Sequence, residues 1–259
     1  MFDFFTHSQM TAVADPSVMF LSSPFGGRRE WVGISDYIGA RGTCTAFSNP
    51  TEWKHAVETS EDGVHAVVHG AAAYHALKLA SETPSAFRSI TLVDPDIINA
   101  LPELQPCPQF YGHIKLIEEA LEAEAMGELI AAAAKVINWW MGREAWAQTS
   151  ATPRSKLIAA MPGLAAEWRL QSRKPLTLLD LTTVSCPVQI VTGRHAPAEI
   201  RSLMRTLRMA LPDFSTCLVK SAAGASHLTD PHIVAPTTTD FIVSSDNGWH
   251  NEFGLQAAA

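Results

Sequence analysis

Six short apolar runs, each closed by turn residues, recur along this sequence, and helix-forming stretches separate most of them. Val18–Leu21 ends at Ser22-Ser23-Pro24-Phe25-Gly26-Gly27, and Gly42–Phe47 follows. Val64–Val68, Ser89–Val93, Pro187–Val191 and Ser215–Val219 complete the set. Short runs rich in Val, Ile and Thr between turn signals read as buried strands. Ala71–Ala80, Ala198–Leu211 and Ile233–Val243 read as helices. Strands that alternate with helices are joined by crossovers, so the pattern predicts an α/β fold with a mostly parallel sheet flanked by helices.

The alternation stops between Ile97 and Asp180. Leu116–Trp140 is rich in Ala, Glu and Leu, and a further helix opens at Pro153 and runs to about Gln171. This block predicts an inserted helical cap. Residues 1–96 and 181–243 then form the core, 97–180 the cap, and 244–259 a tail without periodicity that carries Trp249, His250 and Phe253. A length of 259 residues suits one such unit.

Composition narrows the partners. The formal net charge is -7, and no Lys/Arg cluster offers a track for phosphates, which argues against nucleic acid. No apolar run approaches the length of a membrane span. The opening Met1-Phe2-Asp3-Phe4-Phe5-Thr6-His7 has no basic region and carries an acid, unlike a secretory signal. The expectation is a soluble cytoplasmic protein whose partner is a small-molecule substrate. Cys44, Cys107, Cys186 and Cys217 are scattered without metal-ligand spacing, and Cys44 and Cys186 read as small buried hydrophobes. There is no dinucleotide fingerprint and no P-loop, so neither a cofactor nor a metal is expected. The aromatic tail offers a surface for a homodimer and leaves the oligomeric state open.

Val64–Tyr74 reads as a strand, a sharp turn at Gly70 and a helix start. Together with three other stretches, in order and spacing, it resembles the α/β-hydrolase superfamily. Val18–Trp31 is similar to the first core strand and oxyanion loop, and Val64–Ala80 to the nucleophile elbow and its helix. Cys186–Gly193 is similar to the penultimate strand, and Ala222–Leu228 to the loop bearing the catalytic histidine. The region before Val18 is shorter than the usual opening hairpin, which implies one or two edge strands fewer.

The resemblance puts Gly70 at the serine of Gly-x-Ser-x-Gly, with Val68 and Ala72 at the flanking glycines. Glycine has nothing to attack with. Gly70 is then either a turn residue in a silent site or a means of enlarging a working pocket. Ser22-Ser23-Pro24 stands where the family places His-Gly-x, and Pro24 has no N–H to give to an oxyanion. The Ala71 N–H remains, with a hydroxyl of Ser22 or Ser23 as a substitute donor, unless these are loop residues without chemistry. His227 falls at the general base, against a structural role. The loop 193–199 contains no Asp, so Asp94 is the alternative acid. An Asp94–His227 pair would fix the imidazole tautomer; otherwise Asp94 or Asp96 caps the following turn.

His69 matches a position that is often histidine in the family and often structural. His65, Tyr74 and His75 also surround the elbow, and Tyr74 and His75 read as packing residues. Trp140, with Trp139, Trp146 and Trp168, either packs the cap or lines an apolar cavity. Tyr111 and His113 open the cap and are further candidates to face the site. Three functions follow. The first is a serine-less enzyme performing non-covalent acid/base chemistry, of epimerase, lyase or cyclisation type, on a small apolar molecule of specialised metabolism. The second is a water-mediated ester or lactone hydrolase. The third is a non-catalytic small-molecule binding protein.

Overall fold

The computed structural model describes residues 17–39, 42–220, 223–247 and 256–257. All six apolar runs are strands: β1 (Ser17–Leu21), β2 (Thr43–Phe47), β3 (Val64–His69), β4 (Phe87–Val93), β5 (Val188–Gly193) and β6 (Phe214–Val219). A short β7 (Gln256–Ala257) pairs with β6. The sheet order is β2-β1-β3-β4-β5-β6-β7, and every neighbouring pair is parallel. Any strand before β1 would fall in residues 1–16, outside the described residues, as do Ala222, Trp249, His250 and Phe253.

Helices α1 (Val32–Ile38), α2 (Pro50–Glu58) and α3 (Ala73–Glu82) link the first four strands. Helices α4 (Tyr111–Ala125), α5 (Leu129–Met141), α6 (Ala145–Gln148), α7 (Ala151–Arg173) and α8 (Leu178–Leu181) lie between β4 and β5. α9 (Ala198–Ala210) precedes β6, and α10 (Ser226–Thr229) and α11 (Pro231–Asp246) follow it. Local chemistry sets these starts. Asn49 caps α2 by accepting from the Thr51 and Glu52 N–H groups at 2.8 and 3.3 Å, with Pro50 preset for the first turn. α11 runs past Ser244, where the sequence reading began the tail, because Asp246 is anchored by Arg88 and stands 3.1 Å from His65 Nε2.

Period-two alternation sorts each strand between two cores. On β3, Val64, Ala66 and Val68 pack against Trp53, Leu77 and Leu203 on one face. Val67 joins Trp31, Ile34, Val234 and Ile242 on the other. A third cluster joins α4, α5 and α7, where Ile117, Ala133, Val136, Leu164 and Trp168 pack down onto Ala71. Each fully buried large apolar side chain contributes about 1.5–3 kcal/mol. The four cysteines are free, and burial pushes the Cys186 thiol up to about 12, which suits an inert filler. Among the described residues, no helix is long and apolar enough to cross a membrane.

The strand order reverses between β1 and β3, since β2 lies outside β1 and β4 lies beyond β3. Connections leave the two strands in opposite directions at such a point and open a crevice at their carboxyl ends, the usual ligand site of an open parallel sheet.

Candidate active site

Leu21 of β1 stands level with Val68 of β3, so the Ser22–Pro24 turn lies beside Gly70. Gly70 has φ +58°, the left-handed conformation that side chains disfavour. A Cβ there would meet Ser23 Cβ at 3.5 Å, an ordinary contact, so backbone conformation rather than space favours glycine. The Asp96 N–H donates to the Gly70 carbonyl at 3.0 Å and ties this turn to the end of β4.

The centre of the crevice is Glu30, which the sequence reading missed. It comes from a short 3-10 turn, Arg28–Trp31, and its side chain is 1% exposed. Its Oε2 accepts from His69 Nδ1 at 3.1 Å and from His227 Nε2 at 3.4 Å, while Oε1 accepts from the Ser23 N–H at 3.1 Å. The two imidazole rings are 4.2 Å apart between centroids. Trp31 packs on His227 at 5.0 Å, and its Nε1 donates to Ser22 Oγ at 3.0 Å, which occupies that hydroxyl. Gly26 makes the arrangement sterically possible, because a Cβ there would lie 1.5 Å from Glu30 Oε2. Gly26→Ala is therefore expected to displace the carboxylate and cost about 1–3 kcal/mol. Urea denaturation reads this directly, and an unchanged midpoint would remove the carboxylate from this position.

Burial alone would raise the Glu30 pKa, but the His69 charge and the hydrogen bonds from both imidazoles hold it at about 2. Burial alone would lower His69, yet the Glu30 charge and hydrogen bond leave it above the ordinary value. His227 goes the other way: burial and the His69 charge lower it despite Glu30. Near neutral pH the cluster thus holds an ionised carboxylate, a neutral His227, and a His69 that keeps its second proton more tightly than free imidazole does.

A cavity of about 180 Å³ opens over this cluster. Its polar lining comes from Ser23, Glu30, His69, Gly70 and Asp96, and most of the remainder from Ala71, Phe25, Ile137, Trp140, Met141, Leu157 and Leu164. Five of the expected site residues are therefore on the wall: His69, Gly70, Ala71, Ser23 and Trp140. Three are not where the sequence reading put them. His227 is on α10 and belongs to the cluster, but it sits behind Glu30 and His69 rather than on the wall. Pro24 turns away from the cavity to pack against α7, where a Cβ on Gly163 would meet it at 3.3 Å. Asp94 does not pair with His227. Its Oδ1 accepts from Thr192 Oγ1 at 2.6 Å, and its Oδ2 from the Ser226 N–H and Oγ at 3.0 and 3.2 Å. Asp94 has φ +45° and the nearby Ala225 has φ +53°. Both bends bring Ser226 to the Asp94 carboxylate, so Asp94 places the His227 loop instead of orienting the ring.

Other candidates have structural partners. Asp96 Oδ2 accepts from Trp168 Nε1 at 3.1 Å, and the fully buried His113 Nε2 lies 2.9 Å from Asp96 Oδ1. Gln171 Nε2 donates to the Asp96 carbonyl at 3.2 Å, and Asn99 Nδ2 to the Trp168 carbonyl at 2.8 Å. The Tyr74 hydroxyl donates to the Lys174 carbonyl at 2.7 Å, and His75 Nε2 stands 2.6 Å from Glu167. Tyr111 is exposed, and Trp139 packs on His113.

No family model matches this sequence, and no curated protein does. Solved structures match over most of the chain. A hydrolase from Oleispira antarctica superposes with a TM-score of 0.69 at 15% identity, covering 89% of this chain and 92% of its own. An alpha/beta hydrolase from Sphaerobacter thermophilus gives 0.66 at 14% identity, covering 88% and 93%. The enol-lactonase from Burkholderia xenovorans gives 0.66 at 12% identity, covering 90% and 93%. The parallel sheet, its flanking helices and these superpositions agree: this chain has the α/β-hydrolase fold.

Proposed function

We propose that this chain is an enzyme that moves protons on a small, largely apolar molecule without a covalent acyl intermediate. The observation that carries this reading is the Glu30–His69–His227 cluster at the polar lining of an otherwise apolar cavity, beside a turn residue without a side chain. Gly70 holds the position that the resemblance gives to the nucleophilic serine. The hydroxyl on that wall, Ser23 Oγ, is buried without a hydrogen-bond partner among the described residues, so no base activates it as a nucleophile.

In this reading His69 is the group that meets substrate. Its Nδ1–H is committed to Glu30, while its Nε2 has no hydrogen-bond partner among the described residues, and the ring is 14% exposed on the wall. Nε2 gives a proton to a substrate oxygen or takes one from an acidic carbon. Glu30 stabilises the imidazolium, and His227 shares that carboxylate from behind. The Ala71 N–H supports developing enolate charge, and Trp140, Ile137 and Leu164 hold the apolar body. Epimerase, lyase and cyclisation chemistry all fit these roles. A second reading, hydrolysis by a cavity water, is favoured by the unmet hydrogen bond of Ser23 Oγ beside Gly70. The missing N–H of Pro24 weighs against it.

The test offers wild type and His69→Gln a panel of carbon acids, aryl esters and lactones in D₂O, followed by mass spectrometry. Deuterium uptake by wild type, lost in the variant, is the expected result. Hydrolysis lost in the variant moves the assignment to the second reading. Uptake that persists in His69→Gln overturns the role of His69, and silence throughout moves the assignment to a binding protein.

A further inference from the structure

We infer that Glu30, His69 and His227 form a binding site for one divalent first-row metal ion, of the zinc or ferrous class, with a coordination position open to the cavity. The three residues come from separate elements, the turn after β1, the end of β3 and α10, and converge on one point. One ligand atom from each lies within 4.8 Å of the other two. Glu30 Oε2 is 3.1 Å from His69 Nδ1 and 3.4 Å from His227 Nε2. Ligand atoms held about 2.1 Å from one tetrahedral ion stand roughly 3.4 Å apart, so the spacing that serves a shared proton also serves a metal.

Three further features point to an ion. The ligand set is two imidazoles and one carboxylate, which suits zinc and non-haem iron; magnesium and calcium take oxygen ligands. The ligands are pre-organised: the Ser23 N–H fixes the second carboxylate oxygen at 3.1 Å, as outer partners do in metal sites. Finally, among the described residues no fourth ligand atom joins the three. Gly70 has no side chain on the cavity wall, and Ser23 Oγ is buried and unpaired on the same wall. Three protein ligands with an open position are the arrangement of a site that binds substrate or water on the metal, in contrast to a closed four-ligand structural site.

This inference does not rest on the proton-transfer reading, because an ion would take the place of the proton between His69 Nδ1 and Glu30, and its test needs no substrate. The purified full chain is stripped with a chelator, which is then removed. It is titrated calorimetrically with Zn²⁺, with Fe²⁺ under anaerobic conditions, and with Mg²⁺. Expected is one equivalent of Zn²⁺ or Fe²⁺ per chain at micromolar or lower concentration, with Mg²⁺ silent. Glu30→Gln and His227→Gln are each expected to weaken binding by about 100-fold or more, while His55→Gln, on the exposed face of α2, binds as wild type does. The absence of stoichiometric uptake overturns the site, and so does uptake that both variants retain. Should a variant fail to fold, Co²⁺ added to wild type decides. Ligand-field bands of a four- or five-coordinate N₂O site support the inference, and the spectrum of hydrated Co²⁺ overturns it.

Discussion

Glu30→Ala is expected to lower the free energy of unfolding by about 3–5 kcal/mol, the cost of removing one partner from a buried charge cluster. The carboxylate accepts three hydrogen bonds, from Ser23 N–H, His69 Nδ1–H and His227 Nε2–H. Alanine leaves all three donors without their acceptor in a buried space. It also removes the charge and hydrogen bond that do most to raise the His69 pKa against burial, so the His69 pKa drops relative to wild type. Glu30→Gln loses less, because an amide oxygen still accepts from Ser23, although its NH₂ group then faces an imidazole N–H. Urea denaturation at pH 7 should rank wild type above Gln and Gln above Ala, and histidine-ring NMR should show the His69 midpoint dropping in both variants. An alanine variant as stable as wild type would mean that the cluster is solvated and not a desolvated unit.

Acidification is expected to remove roughly 3 kcal/mol of stability through His65 alone. The ring is fully buried on β3, and burial pushes its pKa down from 6.5 to about 4, against the pull of Asp246 and with the help of Arg88. The unfolded chain therefore binds this proton from about pH 6.5 downward, and the folded one only from about pH 4. Stability falls with pH across that interval and is level, for this residue, on either side. Ser89 Oγ, 2.8 Å from Nδ1, is its hydrogen-bond partner, and Asp246 Oδ1, 3.1 Å from Nε2, is a charged neighbour. The measurement is the urea midpoint at pH 7 and pH 4.5 in wild type and His65→Gln. The variant is expected to start lower and to lose less on acidification, and parallel losses in the two proteins would refute the assignment to His65.

The sequence displayed the strands because each is a short apolar run between turn residues, a signal that depends on neighbours alone. It displayed Gly70 for the same reason, through the strand, turn and helix start around it. Glu30 was hidden. It follows Gly26-Gly27-Arg28-Arg29, and an acid after two glycines and two arginines reads as solvated loop. The glycine pair was the available signal, since Gly26 has no other reason to lack a Cβ than the carboxylate folded back over it. His227 was found but set one layer too near the substrate, because linear order gives the loop and not the depth. The Asp94 error has a similar origin. Three hydrogen bonds to Thr192 and Ser226 depend on β5 and on the αL bend at Ala225, and neither is visible at Asp94 itself.

The roof of the cavity is held unequally on its two sides. The end of α7 is fastened to the core through Trp168, Gln171 and Lys174, which reach the loop after β4 and the start of α3. Among the described residues, the α5 side chains form hydrogen bonds only to α4 and α6: Lys135 to Glu119, and Asn138 to the Trp146 N–H. Opening on the α5 side, where Trp140 and Met141 line the cavity, therefore breaks fewer hydrogen bonds to the core than opening on the α7 side. Amide protons near the end of α5 should be replaced by deuterium well before those in the last turns of α7, so the polar floor of the cavity keeps its geometry while the ceiling breathes.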